Sequence, residues 1–256
     1  MRRFLTWFLI LASVSIVQGD DTPAALIRSL EPLIVRGVNY YPRATPWGAM
    51  WTQTPPGVFD RDLALAATLG INTIRTFVPF GPPSESAGLL QADGSLTPAY
   101  QAKIESLLAA AWASRIRVIL CLEFAPQWLA RTNAAAYWQH SVADLVGAHR
   151  HDGRVLLWDL MNEPDDPPKW NDGTRAYLQA SLPFVRQLDP DHLTTIGLAW
   201  RGEVLRETGL SDVMQYPLNH PNESHFGLVR ADGTFKPAAA ILKETYQRWS
   251  RLDATH

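Results

Sequence analysis

Two periodicities alternate along this chain. Short apolar runs of strand length recur at Ile34 to Tyr40, Ile71 to Phe77, Arg117 to Phe124, Val155 to Met161 and Leu193 to Ala199. A shorter and poorer run follows from Asp212 to Tyr216. Between them lie segments with helical spacing. Asp60 is placed to cap a helix carrying Leu63, Leu65, Ala66 and Leu69, with Gly70 as its stop. Thr97-Pro98 reads as an N-cap and a proline at the first helical position, opening a helix through Ile104, Leu107, Leu108 and Trp112. Ala134 to His149 and Thr174 to Leu188 are further helices, and Pro183 is expected to kink or break the second. Pro237 to Trp249 is a last helix, with Ala238, Ile241, Leu242, Thr245 and Trp249 roughly on one face. Strands that alternate with helices imply βαβ units and a parallel sheet, either doubly wound or curled into a barrel.

The fourth run carries the most chemistry. Val155-Leu156-Leu157-Trp158-Asp159-Leu160-Met161 ends abruptly in Asn162-Glu163-Pro164. The run suits a fully buried parallel strand, and Pro164 cannot extend its hydrogen-bond ladder. Asn162 and Glu163 therefore belong at the strand's carboxyl end, where barrel enzymes place their reactive groups. A carboxyl group beside an amide that can bind a hydroxyl suits glycosidic bond cleavage. A bare Asn-Glu would equally suit an acidic first turn of a helix. The coincidence of strand, stop and carboxyl favours the barrel reading. Gly-x-Gly-x-x-Gly, Gly-x-x-x-x-Gly-Lys and His-Glu-x-x-His are all missing from the sequence, so no nucleotide, phosphate or metal motif competes.

Arg36 to Tyr41, Asn72-Thr73-Ile74-Arg75, Trp158 to Pro164 and Gly227 to Pro237 resemble glycoside hydrolase family 5 and its relatives in the retaining (β/α)8 clan, over roughly residues 33 to 250. The resemblance implies an α/β, (β/α)8 TIM-barrel-like fold. It also implies retaining hydrolysis of O-glycosidic bonds in a β-linked polysaccharide or oligosaccharide, without a cofactor. By the same resemblance Glu163 is the general acid/base and Asn162 binds the sugar's 2-hydroxyl. Arg75 is similar to the arginine that holds the nucleophile's carboxylate, although an ordinary salt bridge at the barrel rim is an equally open reading. Asn39 and Tyr40 are candidates to line the pocket. Trp128, Trp170 and Trp200, in or near carboxyl-end loops, are candidate sugar platforms or packing residues.

The chain also departs from the family pattern. From the sixth run it passes almost at once to the segment that normally follows strand eight, with roughly ten residues between Tyr216 and Gly227. A crossover unit needs at least about 10–12 residues before its next strand. The strand 7–8 region, which carries the family's nucleophilic glutamate, therefore reads as deleted or replaced, leaving an incomplete barrel of about six parallel strands with outer helices. Glu223 is the one carboxylate in that interval, and its loop is the available place for a substitute nucleophile. Glu123, ending the third strand, and Asp159, inside the fourth, are further carboxylates of the same region. A carbohydrate-binding relative with impaired catalysis, or an internally deleted remnant, is the alternative reading. A second carboxylate facing Glu163 would discriminate between them.

Composition changes this picture little. The 256 residues suit one barrel-sized domain, and a net charge of −2 argues against nucleic acid or an anionic membrane as partner. Ten tryptophans suit a carbohydrate substrate without demanding one. Cys121 is the single cysteine and reads as an inert buried thiol. His140, His149 and His151 read as surface residues rather than metal ligands, and no metal is expected. The sequence leaves the oligomeric state open. At the start, Arg2 and Arg3 precede an apolar stretch from Phe4 to Val17 and a small residue at Gly19. This predicts a signal peptide over residues 1–19, a single domain over 20–256, and a secreted or periplasmic protein with no stable membrane span after cleavage. A retained anchor is the competing reading of the same stretch. N-terminal sequencing of the secreted protein should begin at Asp20, and a product beginning at Met1 would exclude cleavage.

Overall fold

A computed structural model describes residues 35–81, 88–129, 133–166, 169–198, 214–217 and 243–247. Six strands lie in one sheet in sequence order: β1 (Gly37–Asn39), β2 (Thr73–Phe80), β3 (Arg117–Phe124), β4 (Val155–Asn162), β5 (Leu193–Leu198) and β6 (Met214–Pro217). Every neighbouring pair is parallel. Helices connect them: α1 (Ala49–Gln53), α2 (Val58–Thr68), α3 (Pro98–Ala113), α4 (Pro126–Leu129), α5 (Ala134–Ala148) and α6 (Asp172–Leu188). Parallel strands in sequential order, with described helices in each crossover from β1 to β5, form an incomplete (β/α)8 barrel, a curled sheet whose edges among the described residues are β1 and β6.

The predicted strands are all present, with ends displaced by a few residues. β2 runs on to Phe80, and β1 is only Gly37–Asn39. Thr97 caps α3 as expected, its Oγ1 accepting from the Tyr100 N–H at 3.3 Å, with Pro98 next. Ile104, Leu107, Leu108 and Ala111 are fully buried, whereas Trp112 is 54% exposed. Eight residues turn a helix about 80° beyond whole turns, which carries Trp112 off the face begun by Ile104. Asp60 is not the cap of α2. The helix starts two residues earlier, after Gly57 at φ +78°, and Asp60 supplies negative charge to its first turn. Gly70 does end that helix, with φ +80°. Pro183 leaves α6 unbroken, and Leu178, Leu182 and Val185 stay buried along it. The short helices α1 and α4 have too few residues to show a period.

Both faces of the sheet are covered. The large core fills the space between strands and helices, and includes Ile74, Val118, Leu120, Leu122 and Trp158. A separate small cluster of Ile119, Leu156 and Leu157, with Val35 and Leu193 against it, involves no helix and fills the concave side near the strands' amino ends. Along β3 successive side chains alternate between helix layer and barrel interior, whereas on β4 a register shift against β3 brings adjacent Leu156 and Leu157 into one cluster. The predicted helix over 237–249 is described only at 243–247, which is helical. There Tyr246 is buried, and its hydroxyl donates to the Gly37 carbonyl of β1 at 3.2 Å. No described helix is long and apolar enough to cross a membrane.

The turn before α3 is fastened to α5. Leu90 and Leu96 form an antiparallel bridge. The Ser141 hydroxyl donates to the Gly94 carbonyl at 2.6 Å, and the Leu96 N–H donates to Asp144 at 2.9 Å. Gly94 has φ +93°, and a Cβ there would lie 2.4 Å from the Tyr137 carbonyl oxygen. Gly94→Ala should destabilise the fold by about 1–3 kcal/mol through backbone strain alone, with steric displacement added. A urea midpoint equal to wild type would show that this turn contributes nothing.

Candidate active site

The site forms where β4 breaks its own alternation. Trp158 faces the helix layer, donating from its indole to Asp189 at 2.9 Å, so Asp159 faces the interior. The β4–β5 register shifts between Asp159 and Asn162. That irregularity turns Asn162 inward as well, although it stands three residues beyond Asp159. Glu163 follows with φ +48°, a left-handed conformation that a glutamate adopts only when its surroundings impose it. The Glu163 N–H donates to the Gly197 carbonyl of β5, and the Asp159 carboxylate accepts from the Gly197 N–H at 3.2 Å. The chain therefore bends at the end of β4 while remaining tied to β5.

Arg75, on β2, binds these groups together. It is 1% exposed, and Asp159 is 0% exposed. Arg75 donates through Nε to Asp159 Oδ2 at 2.8 Å and through Nη2 to the same oxygen, and also to Asn162 Oδ1 at 3.0 Å and Asn39 Oδ1 at 3.3 Å. The alternative reading of Arg75 as a salt-bridge residue is thus realised with Asp159, in the interior rather than at the rim. Asn39 is brought into this cluster. Tyr40 is not: its hydroxyl donates to Asp62 on α2 at 3.2 Å and its ring packs edge-on to Phe59, so the expectation that Tyr40 lines the pocket is corrected by simple alternation along β1.

β3 adds Cys121 and Glu123 on the same inner face. The Cys121 thiol accepts from Arg75 at 3.3 Å, and burial pushes its ionisation well up, in keeping with an unreactive thiol. Burial also raises the Glu123 carboxyl to about 7; Lys169 and Arg75 oppose the rise, and Asp159 and Glu163 add to it. Lys169, in the loop after β4, stands 3.7 Å from Glu163 and 3.6 Å from Asp166. Asn162, Glu163, Glu123 and Lys169 thus converge at the carboxyl ends of β3 and β4.

The tryptophan candidates sort differently from expectation. Trp128 is 2% exposed, stacked on Phe124 at 6.0 Å and packed against Tyr137, so it is a core residue and not an open sugar platform. Trp170 is half-buried beneath the Arg175 guanidinium. Trp200 and Glu223 lie outside the described residues. The sequence reading missed Trp47, which is 41% exposed and 5.1 Å from Phe77, itself lying under the Arg75 guanidinium. Nothing in the irregular stretch around Trp47 has a period that would have marked it. Lys169 was missed for the same reason.

His149 is a further correction. It is buried, not on the surface, and contacts Glu105 at 3.0 Å and the Leu145 carbonyl at 2.8 Å. Glu105, His149 and Asp152 bring potential ligand atoms within 4.8 Å of one another. Arg154 engages both carboxylates, at 2.9 Å and 2.7 Å, so the group reads as an ion-pair knot beside the start of β4.

A parallel α/β barrel whose strand carboxyl ends gather carboxylates, amides and cations defines a (β/α)8-type enzyme scaffold. The chain belongs to the cellulase family, glycosyl hydrolase family 5, whose family model matches residues 38–226. Among solved structures it is similar to an exo-β-1,4-mannosidase from Opitutaceae bacterium strain TAV5, with TM-score 0.64 and 16% identity over 85% of this chain and 60% of that one. It is also similar to an endo-1,4-β-mannanase from Eisenia fetida, with TM-score 0.53 and 13% identity over 78% of this chain and 73% of that one. An endo-β-1,4-glucanase from Xanthomonas axonopodis pv. citri has TM-score 0.51 and 17% identity, over 76% of this chain and 90% of that one. The chain spans only 60% of the length of the exo-mannosidase. No curated protein sequence matches it.

Removing one member of a buried ion pair leaves the other desolvated and costs about 3–5 kcal/mol. Asp159→Ala should therefore lower unfolding free energy by about that amount, read from urea unfolding at unchanged slope. A loss well under about 1 kcal/mol would show that Arg75 does not depend on this carboxylate.

Proposed function

We propose that this chain is an exported glycoside hydrolase acting on a β-linked polysaccharide or oligosaccharide by the retaining route, with Glu163 as general acid/base. The observation that carries the reading is the bend at the end of β4. A positive φ and a shifted register hold Glu163 at the strand's carboxyl end, beside Asn162. Family membership supports the reaction class, and the charged start followed by an apolar stretch supports export.

The residues have separable tasks. Asn162 Oδ1 is held by Arg75, which leaves the amide NH2 to donate to a sugar hydroxyl. Glu163 protonates the departing glycosidic oxygen and afterwards takes a proton from the attacking water. Trp47 offers an exposed ring for stacking at the pocket's rim. The retaining route also needs a nucleophilic carboxylate about 5–5.5 Å from the acid/base. Glu223, in the interval that replaces the family's strand 7–8 region, is the candidate for it. A second reading, a carbohydrate-binding relative with reduced or lost turnover, is favoured by one observation: the Arg75 guanidinium is occupied by Asp159, a residue of β4 rather than of that interval.

The purified mature chain, assayed on β-glucans, β-mannans and aryl glycosides, tests the assignment. Sugar binding without turnover would establish the second reading. If turnover is present, Glu163→Gln should lower it by about 10²–10⁴-fold on natural glycans, and by less on aryl glycosides whose leaving groups need little protonation. Equal rates for wild type and Glu163→Gln on natural glycans would remove Glu163 from the role.

A further inference from the structure

Lys169 has no task in the reading above, although it stands at the rim of the same pocket. Its main chain is fixed on both sides. The Asp166 N–H donates to the Glu163 carbonyl at 3.1 Å, and the Lys169 N–H donates to the Asp166 carbonyl at 2.7 Å. The Lys169 carbonyl accepts from the Asn171 amide at 3.1 Å and from the Thr174 hydroxyl at 2.8 Å. Asn171 is the cap of α6, its Oδ1 accepting from the Thr174 N–H at 3.0 Å, and Thr174 is fully buried. The start of a long helix therefore sets where the lysine stem begins.

The side chain is less committed than the backbone. Nζ stands 3.7 Å from Glu163 Oε2 and 3.6 Å from Asp166 Oδ2, both longer than a hydrogen bond. Among the described residues the ammonium thus has ion-pair neighbours but no hydrogen-bond acceptor for its three N–H donors. Exposure rises from buried Asn162 through Glu163 at 17% to Lys169 at 27%, so the ammonium lies on the solvent side of the acid.

We propose that Lys169 is a specificity-determining residue whose ammonium donates to a hydroxyl of the sugar on the leaving-group side, so that the pocket is built to cut between two neutral sugars rather than to release a non-sugar alcohol.

The proposal rests on the glycosidase reading of Glu163. A general acid works within about 3 Å of the oxygen it protonates. An ammonium 3.7 Å from the Glu163 carboxyl then comes within about 7 Å of that oxygen. A sugar leaving group carries hydroxyls on the carbons flanking the bond, inside that span, and an alkyl group carries none. The glycosyl half is served by the Asn162 amide, which Arg75 orients from the buried side. Lys169 stands on the open side of Glu163, by which a leaving group departs. A lysine suits this contact because its rotatable donors on a flexible stem can follow a hydroxyl. Asp166 already offers the ammonium negative charge, which disfavours a further carboxylate or phosphate on the sugar.

The test compares wild type with Lys169→Met, which keeps the stem and removes the donors. The probes are cellotetraose and mannotetraose, beside cyclohexyl glycosides of the matching trisaccharides. Both kinds of probe release an alcohol that needs protonation, and only the tetraoses carry hydroxyls on it. The purified mature chain is assayed for kcat/KM and for the dissociation constant with each. Lys169→Met should lower kcat/KM for the tetraose, relative to the cyclohexyl glycoside, by about tenfold or more, the usual contribution of a hydrogen bond from a charged donor, and Lys169→Arg should regain part of it. An effect of the ammonium on Glu163 or on the fold would lower both alike. Lys169→Ala supplies the same comparison should Lys169→Met not fold. Turnover with equal losses on both probes, or with no loss, overturns the proposal and leaves the glycosidase reading standing. If wild type binds the tetraoses without turning them over, the glycosidase reading falls and the same ratio is read from the dissociation constants. A loss confined to the tetraose then sustains the contact, and an equal loss or none overturns it. A wild type that binds neither tetraose overturns both.

Discussion

The buried contact between Arg75 and Asp159 is the constraint on which the site depends. It crosses from β2 to β4 over the intervening β3, and both partners are withdrawn from water. A lone guanidinium in that position would carry a desolvation penalty of several kcal/mol, so neither residue is tolerable without a counterpart. The same guanidinium reaches Asn39 on β1 and Asn162 at the end of β4. One side chain thus fixes the spacing of four neighbouring strands at the level where the pocket begins. The floor below it is apolar, made of Ile119, Leu156 and Leu157, and can fill space without directing anything. Charged groups enter at the Arg75 layer.

Above that layer the structure holds a conformation that a free chain would avoid. A non-glycine residue in the left-handed region costs on the order of 1–3 kcal/mol. At Glu163 this cost is met by the ties to Gly197 and by the anchoring of Asp159 and Asn162 immediately before it. The strain lets consecutive residues Asn162 and Glu163 serve one pocket, which regular alternation would forbid. A glutamate placed this way has little rotational freedom left in its backbone, an advantage for a group that must meet a particular oxygen.

How much of this was legible beforehand follows from where period-bearing signals exist. The strands β2 to β5 announced themselves because buried parallel strands are continuous apolar runs, and Thr97-Pro98 announced α3 through capping chemistry. The end of β4 was readable because Pro164 terminates an apolar run at a carboxylate. The facing of single residues was less readable. Tyr40 follows Asn39 on a short strand, and one step of the pleat sends it to the helix layer. Trp128 looked like a loop residue because a four-residue helix has no period, and its burial is a matter of tertiary packing. The partner of Arg75 was hidden for another reason: the two residues are 84 positions apart, and only the folded sheet brings them together.

The hydrogen bond from Tyr246 to the Gly37 carbonyl joins groups 209 positions apart in the chain. During synthesis the first strand therefore emerges long before the residue that covers it, and translation of the intervening stretch takes on the order of ten seconds or more at about 5–20 residues per second. Throughout that interval the nascent β1 edge presents unpaired backbone groups to other nascent chains. The Gly37 carbonyl therefore gains this hydrogen bond only once Tyr246 has been made, so the closing of the β1 side is among the late events of folding.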